Sequence, residues 1–397
     1  MIPYLPLIIV FALFGFVAIL GFVDKSKKRP FAGLPPLSFM VPCYNDADSV
    51  SKTLDSIYSV CGPDIDVVVI DDASTDGSQN QLMALSERYG FNLILNSSNL
   101  GKSKTLNEYF HLTKNDIVVF VDADVIVNQQ SLVDSISRLQ CIDVGAVSCP
   151  YRSANSGFIP TMQTIEYNML AFIQGAYNVF SAIALWGGFI TIKRKAFMEA
   201  GGFTLNAITE DKDLAFKLNE IGWRVEQSFC PIRTYVPDTF SKWFKQKLRW
   251  NSGGFQCFVR YYRVWLKNPL QILFVFSFSI FLIISTLNIG KNLHLWDETV
   301  SYFVRLHQSE SVWLSLQLTS MKFGVSMLKD FSWRIVYTLF SLPFVLPLVS
   351  TVNRIYFCFL IIPFSIFYIP LLSSISIIGA IYFLQKSRLL HKAIRAW

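Results

Sequence analysis

Charged residues are scarce in this sequence. They make up 16% of the 397 residues, whereas apolar residues make up 52% and the mean hydropathy is +0.40. Soluble globular domains usually carry about 25% charged residues, so this composition excludes an ordinary soluble protein and predicts membrane-spanning segments. The net charge is +7, but the Lys and Arg residues flank apolar runs and form no long basic patch, which argues against a nucleic-acid-binding protein.

Paired cysteines are also lacking. None of the seven Cys residues belongs to a C-x-x-C pair or shows zinc-ligand spacing. We therefore expect reduced thiols that serve in packing, as is typical of a cytosolic domain. The sequence has no G-x-x-x-x-G-K loop, which excludes a P-loop nucleotide site, and it shows no internal repeat and no low-complexity linker.

Uncharged stretches predict where the chain crosses a bilayer. Residues 2–23 are long enough to cross about 30 Å of hydrocarbon, and the basic cluster at 25–29 places the following domain in the cytoplasm. Residues 269–290, 335–353 and 355–385 predict three to four further crossings. The length of these stretches favours three crossings. The basic C-terminal tail favours the cytoplasmic side and therefore an even number of crossings, so the number of crossings stays open.

The residues between these stretches predict one α/β domain. Apolar β-type runs alternate with amphipathic stretches, which is typical of βαβ units and a mostly parallel sheet. Strands are predicted at 37–41, 65–70, 91–95, 117–121 and 144–148, and helices at 48–60, 77–89, 101–113, 130–139, 159–182 and 210–221. The predicted organisation is a transmembrane helix at 1–24, a cytoplasmic domain at 25–239, amphipathic interface helices at 240–267 and a C-terminal transmembrane region at 268–397.

The strongest chemical signal lies at the end of the fourth predicted strand. Four apolar residues run into Asp122 and Asp124, whose i, i+2 spacing places both carboxylates on one face of an extended chain. Open α/β sheets bind ligands at this edge, and Mg2+ and Mn2+ prefer such oxygen ligands. The pair therefore predicts a divalent metal site, with a polar turn as the alternative.

Polar motifs also follow the first two strands and open the third helix. Tyr44 can stack on a flat base, and Asp71 or Asp72 can accept hydrogen bonds from a base or a ribose. Alternatively, these residues form a proline turn and a helix cap. Gly101 and Lys102 at a helix N-terminus favour an anionic phosphate, or they form a loop with solvated lysines.

Two further motifs lie nearer the C-terminus. Glu210 and Asp211 open a helix, where acids are ordinary partners of the helix dipole. Alternatively, a carboxylate here acts as a base towards a sugar hydroxyl. Gln246, Arg249 and Trp250 lie in an aromatic and basic segment typical of a membrane interface, where Arg can also pair with phosphate and Trp can support a sugar ring.

Taken in this order over residues 35–255, the motifs resemble the membrane-embedded family-2 glycosyltransferases, which include cellulose, chitin, hyaluronan and poly-N-acetylglucosamine synthases. The motifs that carry the resemblance lie at 41–46, 71–74, 101–107, 122–124, 209–211 and 246–250. In size and layout the chain is most similar to poly-β-1,6-N-acetylglucosamine synthases and rhizobial-type chitin-oligosaccharide synthases. The resemblance implies a GT-A fold, a Rossmann-like domain with a mostly parallel sheet, inserted between transmembrane helices.

The resemblance also implies roles for single residues. The implied general base is Asp211, with Glu210 beside it. The implied nucleotide-sugar site comprises Tyr44, Asp71, Asp72, Lys102, Asn107 and Asp122. The implied ligands of Mg2+ or Mn2+ are Asp122 and Asp124. The implied acceptor and pyrophosphate site comprises Gln246, Arg249, Trp250, Gly187 and Gly188.

The implied activity is inverting transfer from a UDP-sugar, UDP-N-acetylglucosamine, that elongates a β-linked polysaccharide at the inner membrane and passes it across. The implied partners are the donor, the growing glycan, the bilayer and an accessory membrane subunit, without nucleic acid. Two alternatives are a glycolipid transferase that adds a single sugar and an inactive scaffold or export subunit. Asp46 and Lys247 stand where many members have Glu and Arg, and the second departure leaves the handling of the growing chain open.

Overall fold

The computed structural model describes residues 33–179, 184–267 and 368–394, together with the isolated positions 16, 19, 20, 23, 24, 31, 181, 272, 301, 302 and 304. Apart from those positions, the predicted spans at 2–23, 269–290 and 335–353 and the first half of 355–385 lie outside the described residues. Within the described part, no helix combines the length and the apolar character that crossing a bilayer requires.

Two β-sheets organise the described chain. Their strands are β1 (Leu37–Cys43), β2 (Asp66–Asp71), β3 (Asn92–Leu95), β4 (Ile117–Val121), β5 (Val125–Ile126), β6 (Val144–Ser148), β7 (Tyr151–Ser153), β8 (Phe189–Lys193), β9 (Arg224–Gln227) and β10 (Ile232–Thr234). The larger sheet has the order β3-β2-β1-β4-β8-β6-β9, and the smaller has the order β5-β10-β7. In the larger sheet only β8 runs antiparallel to its neighbours, which confirms the predicted mostly parallel sheet.

Helices cover both faces of the larger sheet. The described helices are α1 (Val50–Cys61), α2 (Ser78–Tyr89), α3 (Lys102–Tyr109), α4 (Gln129–Leu139), α5 (Phe158–Ala176), α6 (Arg194–Glu199), α7 (Glu210–Glu220), α8 (Phe240–Arg260), α9 (Tyr262–Leu266) and α10 (Ile369–Ile394). The predicted helix at 101–113 is shorter in the structure, because α3 ends at Tyr109 and a 3-10 turn follows before Thr113 adopts an extended backbone.

The apolar strands are buried on both sides. Phe39 and Val41 of β1 pack into a core with Leu54 of α1, whereas Met40 points to the opposite face and shares a second core with Leu214 of α7. Successive residues of a strand point to opposite faces, so a strand covered by helices on both sides needs a continuous apolar run. The apolar runs that precede the polar motifs therefore predict strands from the sequence alone.

The end of the predicted first span is attached to this domain. Asp24 is buried, and its carboxylate accepts hydrogen bonds from Arg138 at 3.1 Å and from Asn178 at 2.9 Å. The same guanidinium group donates to Glu226 at 3.2 Å. Asp24 is therefore held inside the domain, next to β9 and α4, by a guanidinium group that it shares with Glu226 and Asp134.

The C-terminal helix α10 lies along α8. The hydroxyl of Ser252 donates to the carbonyl of Gly379 at 3.2 Å, and Ser376 donates to Asn251 at 2.8 Å. A Cβ atom on Gly379 would lie 3.1 Å from the Cβ of Asn251, so glycine allows this close approach. The described second half of the stretch predicted to cross at 355–385 thus packs directly on the predicted interface segment.

Candidate active site

The polar motifs meet at the carboxyl edge of β1, β2 and β4. These three strands are parallel neighbours, and their register pairs Cys43 with Asp71. The backbone N–H of Asp122 donates to the carbonyl of Gly188 at 3.0 Å, which joins the end of β4 to the glycine pair before β8. The topology therefore brings together the residues that follow strands far apart in the chain.

The loops after β1 and β2 brace each other. Asn45 and Ala73 both have left-handed backbone conformations, with φ of 57° and 62°, which are unfavourable for residues other than glycine. The N–H of Asn45 donates to Ser74 Oγ at 2.9 Å, and the N–H of Thr75 donates to Asn45 Oδ1 at 2.8 Å. These bonds hold the two strained loops together beside Tyr44, a residue that is 49% exposed.

Asp72 fixes the loop that begins α3. Its carboxylate accepts hydrogen bonds from the Asn96 side chain at 2.8 Å and from the N–H groups of Leu100 and Gly101 at 2.9 Å and 2.8 Å. Burial raises the pKa of Asp72, but these hydrogen bonds together outweigh it, so the pKa lies below its ordinary value. Asp72 therefore positions the glycine and the helix N-terminus that the sequence predicts to face a phosphate.

Asp71 lies deeper than its neighbour. Its Oδ2 atom accepts hydrogen bonds from the Ser74 N–H at 3.0 Å and from Gln79 at 2.8 Å. Its Oδ1 atom is buried and has no hydrogen-bond partner among the described residues. Buried polar atoms normally have a hydrogen-bond partner. An oxygen without one in the described protein can therefore accept a hydrogen bond from a bound ligand.

Lys102 links three parts of the site. Its Nζ atom lies 2.5 Å from Asp122 Oδ1 and 3.1 Å from Glu210 Oε1, and it donates to the carbonyl of Gly187 at 3.4 Å. Burial lowers the pKa of Lys102, but Asp122 and Glu210 outweigh it and hold the pKa above its ordinary value. The lysine is thus a fixed positive charge between β4, α7 and the glycine pair.

Asp211 is buried at the start of α7. Burial and then the adjacent Glu210 carboxylate raise its pKa to about 6. Its Oδ1 atom accepts a hydrogen bond from the Lys212 N–H at 2.8 Å, and its Oδ2 atom faces Gly187, where an added Cβ would lie 2.8 Å away. Such a carboxylate changes its protonation state near neutral pH, which suits a general base.

The carboxylate of Asp124 lies among other negative charges. Burial, then Asp122 and Asp46, raise its pKa to about 7. Among the residues that the structure describes, no Lys or Arg forms an ion pair with it, and no three acidic, His or Cys side chains gather where they could hold an ion. The donors that Asp122 and Asp124 offer are carboxylate oxygens, the ligand type that Mg2+ and Mn2+ prefer.

Tyr151 supports the glycine pair, and no sequence pattern singled it out. Its hydroxyl accepts a hydrogen bond from the Gly188 N–H at 2.5 Å, and a Cβ on Gly188 would lie 3.1 Å from this hydroxyl. Its ring packs edge-on against Trp186 and Tyr167, at centroid distances of 4.8 Å and 5.7 Å. The tyrosine thus supports one side of the site through a contact between residues distant in sequence.

The motif on α8 lies beside α7. The carbonyl of Trp250 accepts a hydrogen bond from Lys212 at 3.0 Å. Gln246 Oε1 is buried without a hydrogen-bond partner in the described part of the chain, and Arg249 is exposed. A Cβ on Gly253 would lie 2.4 Å from Thr209 Oγ1, so this glycine allows α8 to approach the helix that carries the candidate base.

Asn107 is held by the backbone of a neighbouring loop. Its amide nitrogen donates to the carbonyl of Phe203 at 2.7 Å, and its oxygen accepts from the Phe203 N–H at 2.8 Å. A Cβ on Gly202 would lie 2.6 Å from the same oxygen. In this structure Asn107 therefore connects α3 to the segment that leads into α7.

Comparison with known proteins identifies the family of this chain. Residues 35–253 match the family model described as "Glycosyltransferase like family 2". The chain belongs to glycosyltransferase family 2. It is 26% identical over 262 residues to the poly-beta-1,6-N-acetyl-D-glucosamine synthase of Staphylococcus aureus strain MSSA476, a match covering 65% of this chain and 64% of that protein. The corresponding synthase of Staphylococcus epidermidis is 26% identical over 264 residues, covering 64% of this chain and 62% of that protein.

These matches span less than two thirds of the length of those curated relatives. The mannosyltransferase PcManGT from Pyrobaculum calidifontis, solved with GDP-Man and Mn2+, is similar in structure, with a TM-score of 0.54 and 19% identity over 90% of this chain and 99% of that chain. This similarity shows the fold. The family-2 domain therefore has the predicted GT-A fold, and its predicted class of enzyme, a glycosyltransferase, is confirmed.

Proposed function

We propose that this family-2 glycosyltransferase transfers N-acetylglucosamine from UDP-N-acetylglucosamine, with inversion, to the end of a growing β-linked polysaccharide. The position of Asp211 carries this proposal: a buried carboxylate with its pKa raised to about 6 faces the glycine pair and stands beside the Lys102–Glu210 ion pair. The similarity to poly-beta-1,6-N-acetyl-D-glucosamine synthases supports the choice of sugar and product.

The donor lies along the carboxyl edge of β1, β2 and β4. The half-exposed ring of Tyr44 stacks on the uracil, and the unpartnered oxygen of Asp71 accepts a hydrogen bond from the nucleoside. Asp72 keeps the N-terminus of α3 directed at the diphosphate, and Lys102 supplies a positive charge there. Helix N-termini and lysines both favour anionic groups.

Asp122 and Asp124 hold Mg2+ or Mn2+ in this proposal. When bound, the ion neutralises negative charge on the diphosphate leaving group. The raised pKa of Asp124 supports this assignment, because burial and the Asp122 and Asp46 carboxylates disfavour its charge more than Lys102 favours it, and a bound cation would relieve this. The Mn2+ named for the complex of the structurally similar mannosyltransferase is consistent with such an ion.

Asp211 removes the proton from the acceptor hydroxyl. The oxygen then forms a bond to the anomeric carbon of the donor while the bond from that carbon to the UDP oxygen breaks. UDP leaves from the opposite face, so the configuration inverts and a β-linkage results. A base with a pKa of about 6 is mostly ionised at neutral pH and still accepts a proton readily.

Trp250 and Gln246 receive the end of the acceptor. The indole ring offers a flat apolar face to a sugar, and the buried Oε1 atom of Gln246 can accept a hydrogen bond from a sugar hydroxyl. In this proposal Arg249 faces the pyrophosphate. The uncharged stretches at 2–23 and beyond 268 support an inner-membrane location, with this site in the cytoplasm and the polymer passing between the spans.

The test uses membranes that contain the full chain, a panel of radiolabelled UDP-sugars and Mn2+, with products separated by chain length. A ladder of long products from UDP-N-acetylglucosamine alone is the expected result. Label confined to one lipid-extractable product would instead identify a glycolipid transferase. No incorporation from any donor, together with no nucleotide binding in the presence of Mn2+, would identify an inactive scaffold and contradict the proposal.

A further inference from the structure

Buried polar side chains join three helices behind Trp250. Lys247 on α8 lies 2.9 Å and 2.8 Å from the two carboxylate oxygens of Glu166 on α5. Tyr368, directly before α10, donates to the same carboxylate at 2.6 Å and accepts a hydrogen bond from Trp243 Nε1 at 2.7 Å. These four side chains are 8% exposed or less, so water does not compete for the hydrogen bonds.

The ammonium group of Lys247 lies close to two aromatic rings that also contact each other. Its Nζ atom is 4.4 Å from the centre of the Trp250 ring and 4.7 Å from the centre of the Tyr167 ring. A cation within about 6 Å of a ring centre attracts the electron-rich face of that ring, most strongly for tryptophan and away from water. The charge of Lys247 therefore restrains the plane of the Trp250 side chain.

Stability alone does not explain this ion pair. Burial lowers the pKa of Lys247, and the Glu166 carboxylate only partly offsets that effect. Apolar residues of similar volume usually stabilise a core as well as a buried ion pair does, so such pairs serve stability poorly. Because Lys247 of this pair also contacts the Trp250 ring, the orientation that it imposes on that ring explains the pair better.

The backbone of Trp250 is held separately. Its carbonyl accepts a hydrogen bond from Lys212, which follows the candidate base Asp211 in the sequence. The ring contacts Lys247 and the Tyr167 ring, whose centre lies 6.1 Å away, whereas the backbone is held through Lys212. Loss of the Lys247 charge would leave the ring only its packing contacts while the backbone stays in place, and this separation makes the effect of Lys247 measurable.

We propose that Lys247 is a positioning residue that orients the Trp250 ring towards the acceptor sugar, and that Glu166 and Tyr368 tie this orientation to the docking of α10. The assignment of Trp250 to the acceptor rests on the proposed function. Lys247, which stands where many members of the family have Arg, is thus matched by a carboxylate on α5 and by the tyrosine directly before α10.

Kinetics of the full chain in membranes test the effect on the acceptor. The double variant Lys247→Met/Glu166→Gln removes both charges and leaves neither one buried alone. We expect it to raise KM for an N-acetylglucosamine pentasaccharide about tenfold and to leave KM for UDP-N-acetylglucosamine within about twofold. When Trp250 is Ala, the same double change should raise the acceptor KM less than about twofold.

The proposal would be overturned if the double change raised the acceptor KM equally with and without Trp250→Ala, because Lys247 would then not act through Trp250. An equal increase in the KM of the donor would overturn it as well, since a general loss of structure would be the cause. Neither outcome bears on the assignment of Asp211 as the base, so the two proposals fail separately.

Amide hydrogen exchange tests the link to α10 without requiring activity. Tyr368→Phe removes one hydroxyl, and Tyr382→Phe on the exposed face of α10 is the matched control, since Tyr382 is 48% exposed. We expect Tyr368→Phe alone to speed exchange in residues 246–252 and in the first half of α10. Unchanged exchange at 246–252 would refute the link, even if the wild-type chain transferred no sugar and the proposed function had failed.

Discussion

Replacing Gly187 by Ala tests the position of the proposed base by geometry alone. The new Cβ would lie 2.8 Å from Asp211 Oδ2 and 3.2 Å from its Cβ and Cγ, closer than ordinary contact, so the carboxylate must move by roughly 0.5 Å. A base must lie about 2.6–3.2 Å from the oxygen whose proton it takes, and a misplacement of about 1 Å costs on the order of 100-fold in rate. We therefore expect kcat to fall about 10- to 100-fold, which corresponds to about 1.4–2.7 kcal/mol.

The assay for this variant is the initial rate of sugar incorporation at saturating donor, with UDP binding measured by calorimetry. Gly254→Ala is the matched control, because among the described residues its Cβ would approach only the end of Lys212, at 3.4 Å, and alanine is favourable in a helix. A folded Gly187→Ala variant with kcat and UDP binding close to wild type would refute the placement of Asp211 at the reacting hydroxyl.

Three further predictions concern charge. Lys102→Met leaves Asp122 and Glu210 without their partner, so calorimetry should show UDP binding weakened about tenfold or more; unchanged affinity would exclude Lys102 from the donor site. Because Asp211 has its pKa raised to about 6 and acts in its ionised form, kcat should fall about tenfold per pH unit below pH 6 and level off above about pH 7; a flat profile from pH 5 to 7 would contradict this. Asp72 has a lowered pKa in the folded state, so its contribution to stability is fully present above the unfolded value of about 4 and is lost as the pH falls through the folded value. Asp72→Asn should therefore lower the free energy of unfolding by about 1.5–3 kcal/mol at pH 7 and by less at pH 3, and denaturant titrations that show equal losses at both pH values would count against it.

Strands buried on both faces were the most predictable part of the fold. The bounds of β4 and β6 match the predicted strands, and β1, β2 and β3 differ from theirs by one or two residues. β1, β2 and β4 are mostly apolar, buried runs that end at polar motifs, a pattern with few other structural solutions, whereas β3 begins with Asn92 and is only partly buried. The helices between them follow from their apolar periodicity in the same way.

The smaller sheet gave no signal of this kind. Its strands β5, β7 and β10 are only two or three residues long, too short to show a period. The edge strand β9 buries Glu226, which is paired with Arg138; a charged residue at a buried position hides the strand pattern. The short strands and β9 form because they pair with segments distant in the chain, and the pattern of a single sequence does not show such pairing.

Within the site, the sequence predicted residue types better than contacts. The carboxylates after β4 and at the start of α7 were predicted from their motifs, and the structure brings both to Lys102. The supporting contacts of Tyr151 with Gly188 and of Lys247 with Glu166 were not predicted. Each joins segments distant in the chain, where only the folded topology determines which side chains meet.

We propose Asp211 as the base of the sugar transfer, and a comparison of two carboxylate variants tests this role. Sugar incorporation by the full chain in membranes is measured for wild type, for Asp211→Asn and for Asp238→Asn, a matched change at a carboxylate that is 60% exposed. We expect Asp211→Asn to slow incorporation about 100- to 10,000-fold with UDP binding retained, while Asp238→Asn transfers sugar at the wild-type rate. Incorporation by Asp211→Asn within a few-fold of wild type would contradict it.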